Sequence, residues 1–454
     1  MLLIHEYFLF TLHQYRFKVN LFNLTLKLKG FPIEKAKRDL AEIQSKSDKA
    51  YEIYLSSRKK AIVDYHVNHN KFYQRITKNV DTNVWHKLPV IKKSDLQIPL
   101  NERLSSGFTV KNSHIHKTSG SSGTPLIFAK DKYTHALSWA NFIDRYAWYG
   151  IDATNAKQAR FYGIPIKGLG YYKERFKDVL GNRFRFSVFD MSDTQLEWNI
   201  SKFKTTAFEY INGYTSAIVQ LAKFLEKKNM ILKDVCPTLK LCIVTAEMLF
   251  DDDKTLLETY IGVPIANEYG SAELSLIAFN TPENEWIVNT EDLFIEILDD
   301  NDAPVENGIE GRIVVTSLYN TAHPFIRYDI GDIGMLHKTS TLKKPILQNV
   351  IGRTSDIVVL PSGKKAAGLT FYYITKTVIE DDANVKEFII EQHALDTFKI
   401  RYTSKTQLSE AKINTIKKEI KRYLEDGLTI NFERQSALKR TRGGKLKQFT
   451  SFVT

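Results

Sequence analysis

Three stretches of this sequence hold side chains that could handle a polyphosphate. The first is Thr118-Ser119-Gly120-Ser121-Ser122-Gly123-Thr124-Pro125. Small residues let backbone approach an anion, while hydroxyls and amide N–H groups supply donors for phosphate oxygens. The stretch lacks the Gly-Lys-Ser/Thr ending of a P-loop. Its plain alternative is a flexible linker, against which stand the strand-like flanks Asn112 to Lys117 and Leu126 to Ala129. The second is Asn267-Glu-Tyr-Gly-Ser-Ala-Glu273. Tyr269 could stack on a purine, and the Glu273 carboxylate could ligate Mg²⁺ between phosphates; a strand ending in a turn with a solvated Glu would look the same. The third, Phe325-Ile-Arg-Tyr-Asp-Ile-Gly-Asp332-Ile-Gly334, sets an Asp beside Gly, as suits the hydroxyls of a ribose. A tight turn between strands is the alternative there.

Two cationic positions follow. Ile351-Gly-Arg353-Thr-Ser-Asp356 adds a fixed guanidinium, and Arg440-Thr-Arg-Gly-Gly-Lys445 puts a lysine in a glycine-bearing loop. Alone, that last stretch reads as a solvated basic tail. His114 and His116 alternate as strand residues do, but no third metal ligand lies near them in sequence. No Gly-x-Ser-x-Gly elbow is present, so a hydrolase reading has no support.

Elements must hold these residues in place. From Pro32 to about Tyr73 the pattern is helical, and Leu88 to Asp95 reads as a loop opening a capped helix. A helix over Ala136 to Tyr149 is followed by strands at Ala159 to Gly163, Ala207 to Ile211 and Leu239 to Val244. Between the last two, Ile218, Leu221, Ala222 and Leu225 fall at helical spacing within Ser216 to Lys228. Strands alternating with helices predict a mostly parallel α/β sheet. Beyond Glu285, Phe294 to Leu298 and Gly311 to Thr316 suggest an antiparallel, barrel-like piece. After Asp356 the texture changes again. Strands at Phe388 to Glu391, Phe398 to Tyr402 and Leu428 to Phe432 and a helix over Ser409 to Leu424 predict a small α+β domain, jointed near Arg353 and Asp356.

The chain has 454 residues and a net charge of +12, long enough for two domains. Its lysines are scattered rather than blocked, and no nucleic-acid-binding motif accompanies them, so the charge favours small anions over nucleic acid. Cys236 and Cys242 read as buried hydrophobes of a reducing compartment. Met1 to Phe31 is apolar but interrupted by charge, so that no apolar run within it approaches the length of a bilayer span, and it lacks signal-peptide order. It predicts core packing, with contact at a membrane surface as the alternative, in a cytoplasmic protein.

The order of the five motifs carries more than any one. A hydroxyl and glycine loop, Tyr-Gly-x-x-Glu, Tyr-Asp-x-Gly-Asp, Gly-Arg-x-x-Asp and a late Gly-Lys resemble the adenylate-forming superfamily. Ile115 to Pro125 and Ile211 to Ala217 are similar to its phenylacetate–coenzyme A ligase branch and the capsular polysaccharide biosynthesis relatives of that branch. The resemblance implies a large α/β domain over 1–354, with 1–31 packed on it, and a small mobile α+β lid over 355–454. It implies a ligase that forms an acyl-adenylate from a small carboxylic acid, with ATP and Mg²⁺ and coenzyme A as the foremost acceptor; a sugar acceptor and a non-catalytic nucleotide-binding module are the alternatives. Thr118 to Thr124 would wrap the phosphates, Tyr269 and Gly270 face adenine, Glu273 hold Mg²⁺, and Asp332 the ribose with help from Arg353. Lys445 would reach the α-phosphate, and Tyr214, Ala246 and Glu247 would flank the acyl group. The chain departs from the family pattern at Ser355, where an acidic residue or lysine is usual, and lacks a lysine at the end of the phosphate loop.

Overall fold

The computed structural model describes residues 21–118, 125–163, 169–353, 357–363, 365–367, 385–441 and 446–453. Ser119 to Thr124, Thr354 to Asp356 and Lys445 therefore lie outside the described residues, as do residues 1–20.

A hairpin of β1 (His114–Lys117) and β2 (Ile127–Lys130) brackets the hydroxyl-rich stretch. Its ends are tied where Thr118 N–H donates to the Leu126 carbonyl at 2.9 Å and the Leu126 N–H to Thr118 Oγ1 at 2.9 Å. The main sheet has seven strands: β3 (Gln158–Phe161), β4 (Arg183–Phe186), β5 (Tyr210–Tyr214), β6 (Leu241–Thr245), β7 (Ile265–Ser271), β8 (Ser275–Asn280) and β9 (Trp286–Val288), in the order β4-β3-β5-β6-β7-β8-β9. Pairs from β4 through β7 are parallel, and β8 and β9 add antiparallel edges. Both β5 and β6 are buried along their whole length, as parallel strands covered on two faces must be.

The helix Thr215–Lys227 presents Ala217, Ile218, Leu221, Ala222 and Leu225 to this sheet, at the predicted spacing. β5 begins three residues later than the pattern suggested. Its register against β3 pairs Gln158 with Tyr210 and Phe161 with Gly213, and a Cβ at Gly213 would lie 2.5 Å from the Phe161 Cβ. Close strand packing fixed this register, and a window of apolar residues could not. The predicted helix after Leu88 is absent. The Asp95 carboxylate accepts from the Lys92 N–H at 2.8 Å, capping a turn, and only a short 3-10 turn at Leu100–Glu102 follows Pro99.

β10 (Leu293–Leu298), β11 (Gly311–Ser317), β12 (Tyr328–Leu336) and β13 (Leu347–Arg353) form a four-stranded antiparallel sheet. After a small hairpin of β14 (Ile357–Val359) and β15 (Lys365–Ala367) comes a second four-stranded sheet. It holds β16 (Val385–Ala394), β17 (Thr397–Ser404), β18 (Thr429–Gln435) and β19 (Phe449–Ser451), in the order β18-β17-β16-β19. The helix Glu410–Tyr423, capped by Ser409, buries Ile416 and Ile420 in its own core with Phe388, Ile390 and Phe398.

At the N-terminal end, Leu26 is buried with Ile33, Leu40, Leu137 and Ala140, so the described part of the apolar segment packs on the body of the protein. No helix among the described residues is long and apolar enough to cross a membrane. Both cysteines are buried thiols, and burial pushes the Cys242 thiol up.

Candidate active site

The carboxyl ends of β6 and β7 turn toward β12, and between them opens a cleft of about 510 Å³. Ala246, Glu247, Glu268, Tyr269, Gly270 and Asp332 line one side. Thr441 and Leu446 to Phe449 of the C-terminal tail line the other. Clefts at the carboxyl ends of parallel strands are where α/β sheets bind ligands, since loops there are free to diverge.

Local backbone geometry shapes this wall. A bulge falls between Tyr269 and Gly270, where a Cβ on Gly270 would stand 2.2 Å from the Ser275 carbonyl oxygen. Only glycine fits. Ala246 has φ of 68°, a left-handed conformation that an alanine adopts at some cost. It sits where β6 gives way to the cleft.

Tyr269 donates its hydroxyl to Asp332 Oδ2 at 2.8 Å, and its ring meets Trp286 edge-on at 5.7 Å. Two of the sequence motifs thus join through one hydrogen bond. Arg353 lies directly opposite Asp332 in the β12–β13 pairing, so the backbone brings the fourth motif to the third.

Glu247 does something the sequence did not suggest. Its Oε2 accepts from the Ser216 N–H at 2.7 Å, at the start of the helix Thr215–Lys227, while its Oε1 accepts from the Leu446 N–H at 3.0 Å. One carboxylate thereby ties the tail to the main sheet, immediately beside Lys445. Arg440 pairs with Glu387 close by. Burial pushes the Glu387 carboxyl up against the pull of Arg440.

Glu273 does not line the cleft. Only 8% exposed, it accepts from the Tyr328 hydroxyl at 3.1 Å and lies near enough to His116 and Lys130 to act on their protonation. That places it toward the base of the β1–β2 hairpin, the phosphate end if the loop binds phosphate. Lys130 is buried and donates to Ser275 Oγ at 2.6 Å; burial pulls its ammonium down to about 8 against the charges of Asp292 and Glu273. Among the described residues no cluster of three or more His, Cys, Asp or Glu could hold a metal by itself. A hard cation at Glu273 would take most of its ligands from phosphate and water, which is how Mg²⁺ is commonly held beside nucleotides.

Tyr214 stands behind the cleft, buried against Tyr162 at 4.6 Å, and burial pushes its hydroxyl up to about 12. Sequence reasoning missed Glu268, Trp286, Lys130 and Asn349. Glu268 was legible in principle, being the residue before Tyr269 in a stretch already singled out. It accepts from the Tyr146 hydroxyl at 2.9 Å, and burial raises its carboxyl. Trp286 and Asn349 carry no motif.

No family model matches the chain. It is 23% identical to Protein CapK of Staphylococcus aureus over 423 residues, covering 90% of this chain and 88% of the relative. It is 25% identical to a phenylacetate-coenzyme A ligase of Pseudomonas putida over 257 residues, 54% of this chain and 56% of that one. In fold it is similar to a 2-hydroxyisobutyryl-CoA ligase solved in its postadenylation state, with a TM-score of 0.67 at 18% identity, over 90% of this chain and 89% of that one. An anthranilate CoA ligase matches with a TM-score of 0.52 at 15% identity, over 73% and 64% of the two chains.

Proposed function

We propose that this chain is an adenylate-forming ligase that activates a small carboxylic acid with ATP and passes the acyl group to coenzyme A. The observation that carries the reading is the meeting, around one cleft, of Ala246–Glu247, Tyr269–Gly270, Asp332 and the tail on both sides of Lys445. Chance would not bring segments two hundred residues apart to one cavity with these donors and acceptors.

In the first step a carboxylate oxygen of the acid attacks the ATP α-phosphorus, the bond to the β-phosphate oxygen breaks, and pyrophosphate leaves with its electron pair. No general base is needed, because the nucleophile is already ionised near neutrality. The difficulty is the approach of two anions, so positioning and neutralisation carry the catalysis. Asp332, itself held by the Tyr269 hydroxyl, would accept from the ribose. Thr118 to Thr124 would donate to the phosphates, and Lys445 would bridge the α-phosphate and the incoming carboxylate. A magnesium ion at Glu273, where the carboxylate type suits it, would neutralise the leaving phosphates. In the second step the coenzyme A sulfur, its proton lost to solvent, attacks the acyl carbon; the bond from that carbon to the phosphate oxygen breaks and AMP leaves with the electron pair.

Protein CapK, which aligns with 90% of this chain, is not named for coenzyme A. That favours a second reading, in which a sugar amine or hydroxyl takes the acyl group. Measuring whether coenzyme A accelerates AMP release over a panel of acids separates the two.

Exchange of labelled pyrophosphate into ATP tests the first step. Lys445→Ala should lower carboxylate-dependent exchange by at least about 100-fold while ATP still binds. Exchange at the wild-type rate in that variant would refute the assignment.

A further inference from the structure

Behind the cleft, the parallel strands carry a polar band that neither proposed step uses. Register sets Arg160 of β3 beside Asn212 of β5. Two residues further along the same face, Tyr214, Thr245 and Glu268 form a row across β5, β6 and β7. The helix Lys132–Ala147 covers this face and sends the Tyr146 hydroxyl to Glu268.

Arg160, Tyr162 and Glu268 lie deep in the molecule, yet none of the three is fully buried. Glu268, at the end of the row, lines the cleft itself.

The Nε of Arg160 is buried without a hydrogen-bond partner, and so is the Nδ2 of Asn212. Asn212 Oδ1 already accepts from the Tyr162 hydroxyl at 3.1 Å. The guanidinium lies over the Tyr162 ring at 4.3 Å. Two acids act on Arg160 from a distance: Asp178, which Arg183 and Arg185 share at 2.7 Å and 2.9 Å, and Glu268, which the Tyr146 hydroxyl already engages. Among the described residues no carboxylate is within ion-pair distance of Arg160. Arg160 keeps a side-chain hydrogen bond to Tyr162, but its buried Nε and the buried Asn212 Nδ2 have no partner; unpartnered buried donors are costly, and a bound ligand is one of the things that completes them.

We propose that the acid activated by this protein carries a second anionic oxygen group, a distal carboxylate in the simplest case, which Arg160 and Asn212 receive. The distal carboxylate supplies acceptors for both vacant donors, and Tyr162 and Tyr214 flank the chain or ring that spans to the reacting carboxylate. This rests on the adenylation reading, since it assigns the far end of the same substrate. Arg160 is thus a specificity-determining residue, and Asn212 its neighbour in recognition.

Pyrophosphate exchange with matched pairs tests it: straight-chain dicarboxylates of three to six carbons and 4-carboxyphenylacetate, each against its neutral monomethyl ester or unsubstituted parent. The wild type should favour the diacid of at least one pair by tenfold or more in kcat/KM. Arg160→Met should erase that preference, chiefly through KM, while exchange with neutral acids is unchanged or improved. Asn212→Leu should weaken it less. Arg160→Lys should keep part of the preference, and with thermal melts it separates lost recognition from lost folding. Exchange with neutral acids but no diacid preference, or a preference that survives Arg160→Met in a folded protein, overturns the proposal and leaves the adenylation reading standing. No exchange with any acid overturns both.

Discussion

The two walls of the cleft are held in different ways. The wall built from β6, β7 and β12 is continuous with sheets: its side chains point where register sends them, and Gly270 fits the Ser275 carbonyl with no room to spare. The wall built from the tail belongs to the second four-stranded sheet, which has its own core. Among the described residues it meets the first wall through polar contacts that include Leu446 to Glu247, Glu387 to Gln220 of the helix Thr215–Lys227, and Lys386 to Asp193 at 3.5 Å. Phe250 adds an apolar touch. One wall is part of the fold, whereas the other is docked on it. The polar contacts named are each worth on the order of 1 kcal/mol, and losing one of them disturbs neither sheet's core.

Substitutions on the two walls should therefore fail differently. Gly270→Ala strikes the fixed wall, where the new Cβ cannot coexist with the Ser275 backbone. It should cost about 3 kcal/mol or more in chemical denaturation and remove ATP binding with it. Stability near that of the wild type would show that this wall, too, can yield.

A buried charge tests the fixed part in another way. Burial, with Glu291 alongside, holds the Asp292 carboxyl at about 7. Its folded value is above the ordinary one, so the native protein keeps a proton that the unfolded chain releases from about pH 4 upward. Stability is thereby lost as pH rises through the window from 4 to 7. Asp292→Asn should flatten that fall, gaining about 2–4 kcal/mol at pH 8 and nothing at pH 4. Denaturation midpoints at the two pH values decide it, and an unchanged slope would mean the proton is not there.

Glu247→Ala strikes the docked wall. Two backbone N–H groups lose their acceptor, and the tail loses its tie beside Lys445. Adenylation should slow by about tenfold in kcat with little change in the melting temperature, because no core is disturbed. Proteolysis after the basic residues from Arg440 to Lys447 should quicken in step. A variant whose melting temperature falls as much as its rate would place Glu247 in the fold rather than in the docking.

Much of this was legible in the chain and some was not. The helix Thr215–Lys227 followed from apolar spacing, and the motifs singled out Tyr269, Gly270 and Asp332, which the fold brings to one cleft. The helix expected after Leu88 failed because Asp95 spends its carboxylate on a turn. Glu247 was picked out for the acyl group, yet its carboxylate is engaged by Ser216 and Leu446, partners that no local reading could supply.

The sequence by itself determined which chemical groups the protein has, and roughly which strand, helix or turn carries each, since propensity and short-range spacing are properties of neighbouring residues. Only the tertiary structure decided that Tyr269 meets Asp332, that one carboxylate joins the tail to the main sheet, and that Arg160 and Asn212 stand side by side with donors to spare. The register of strands far apart in the chain sets those meetings. Register is a property of packing as a whole, so it cannot be read one segment at a time.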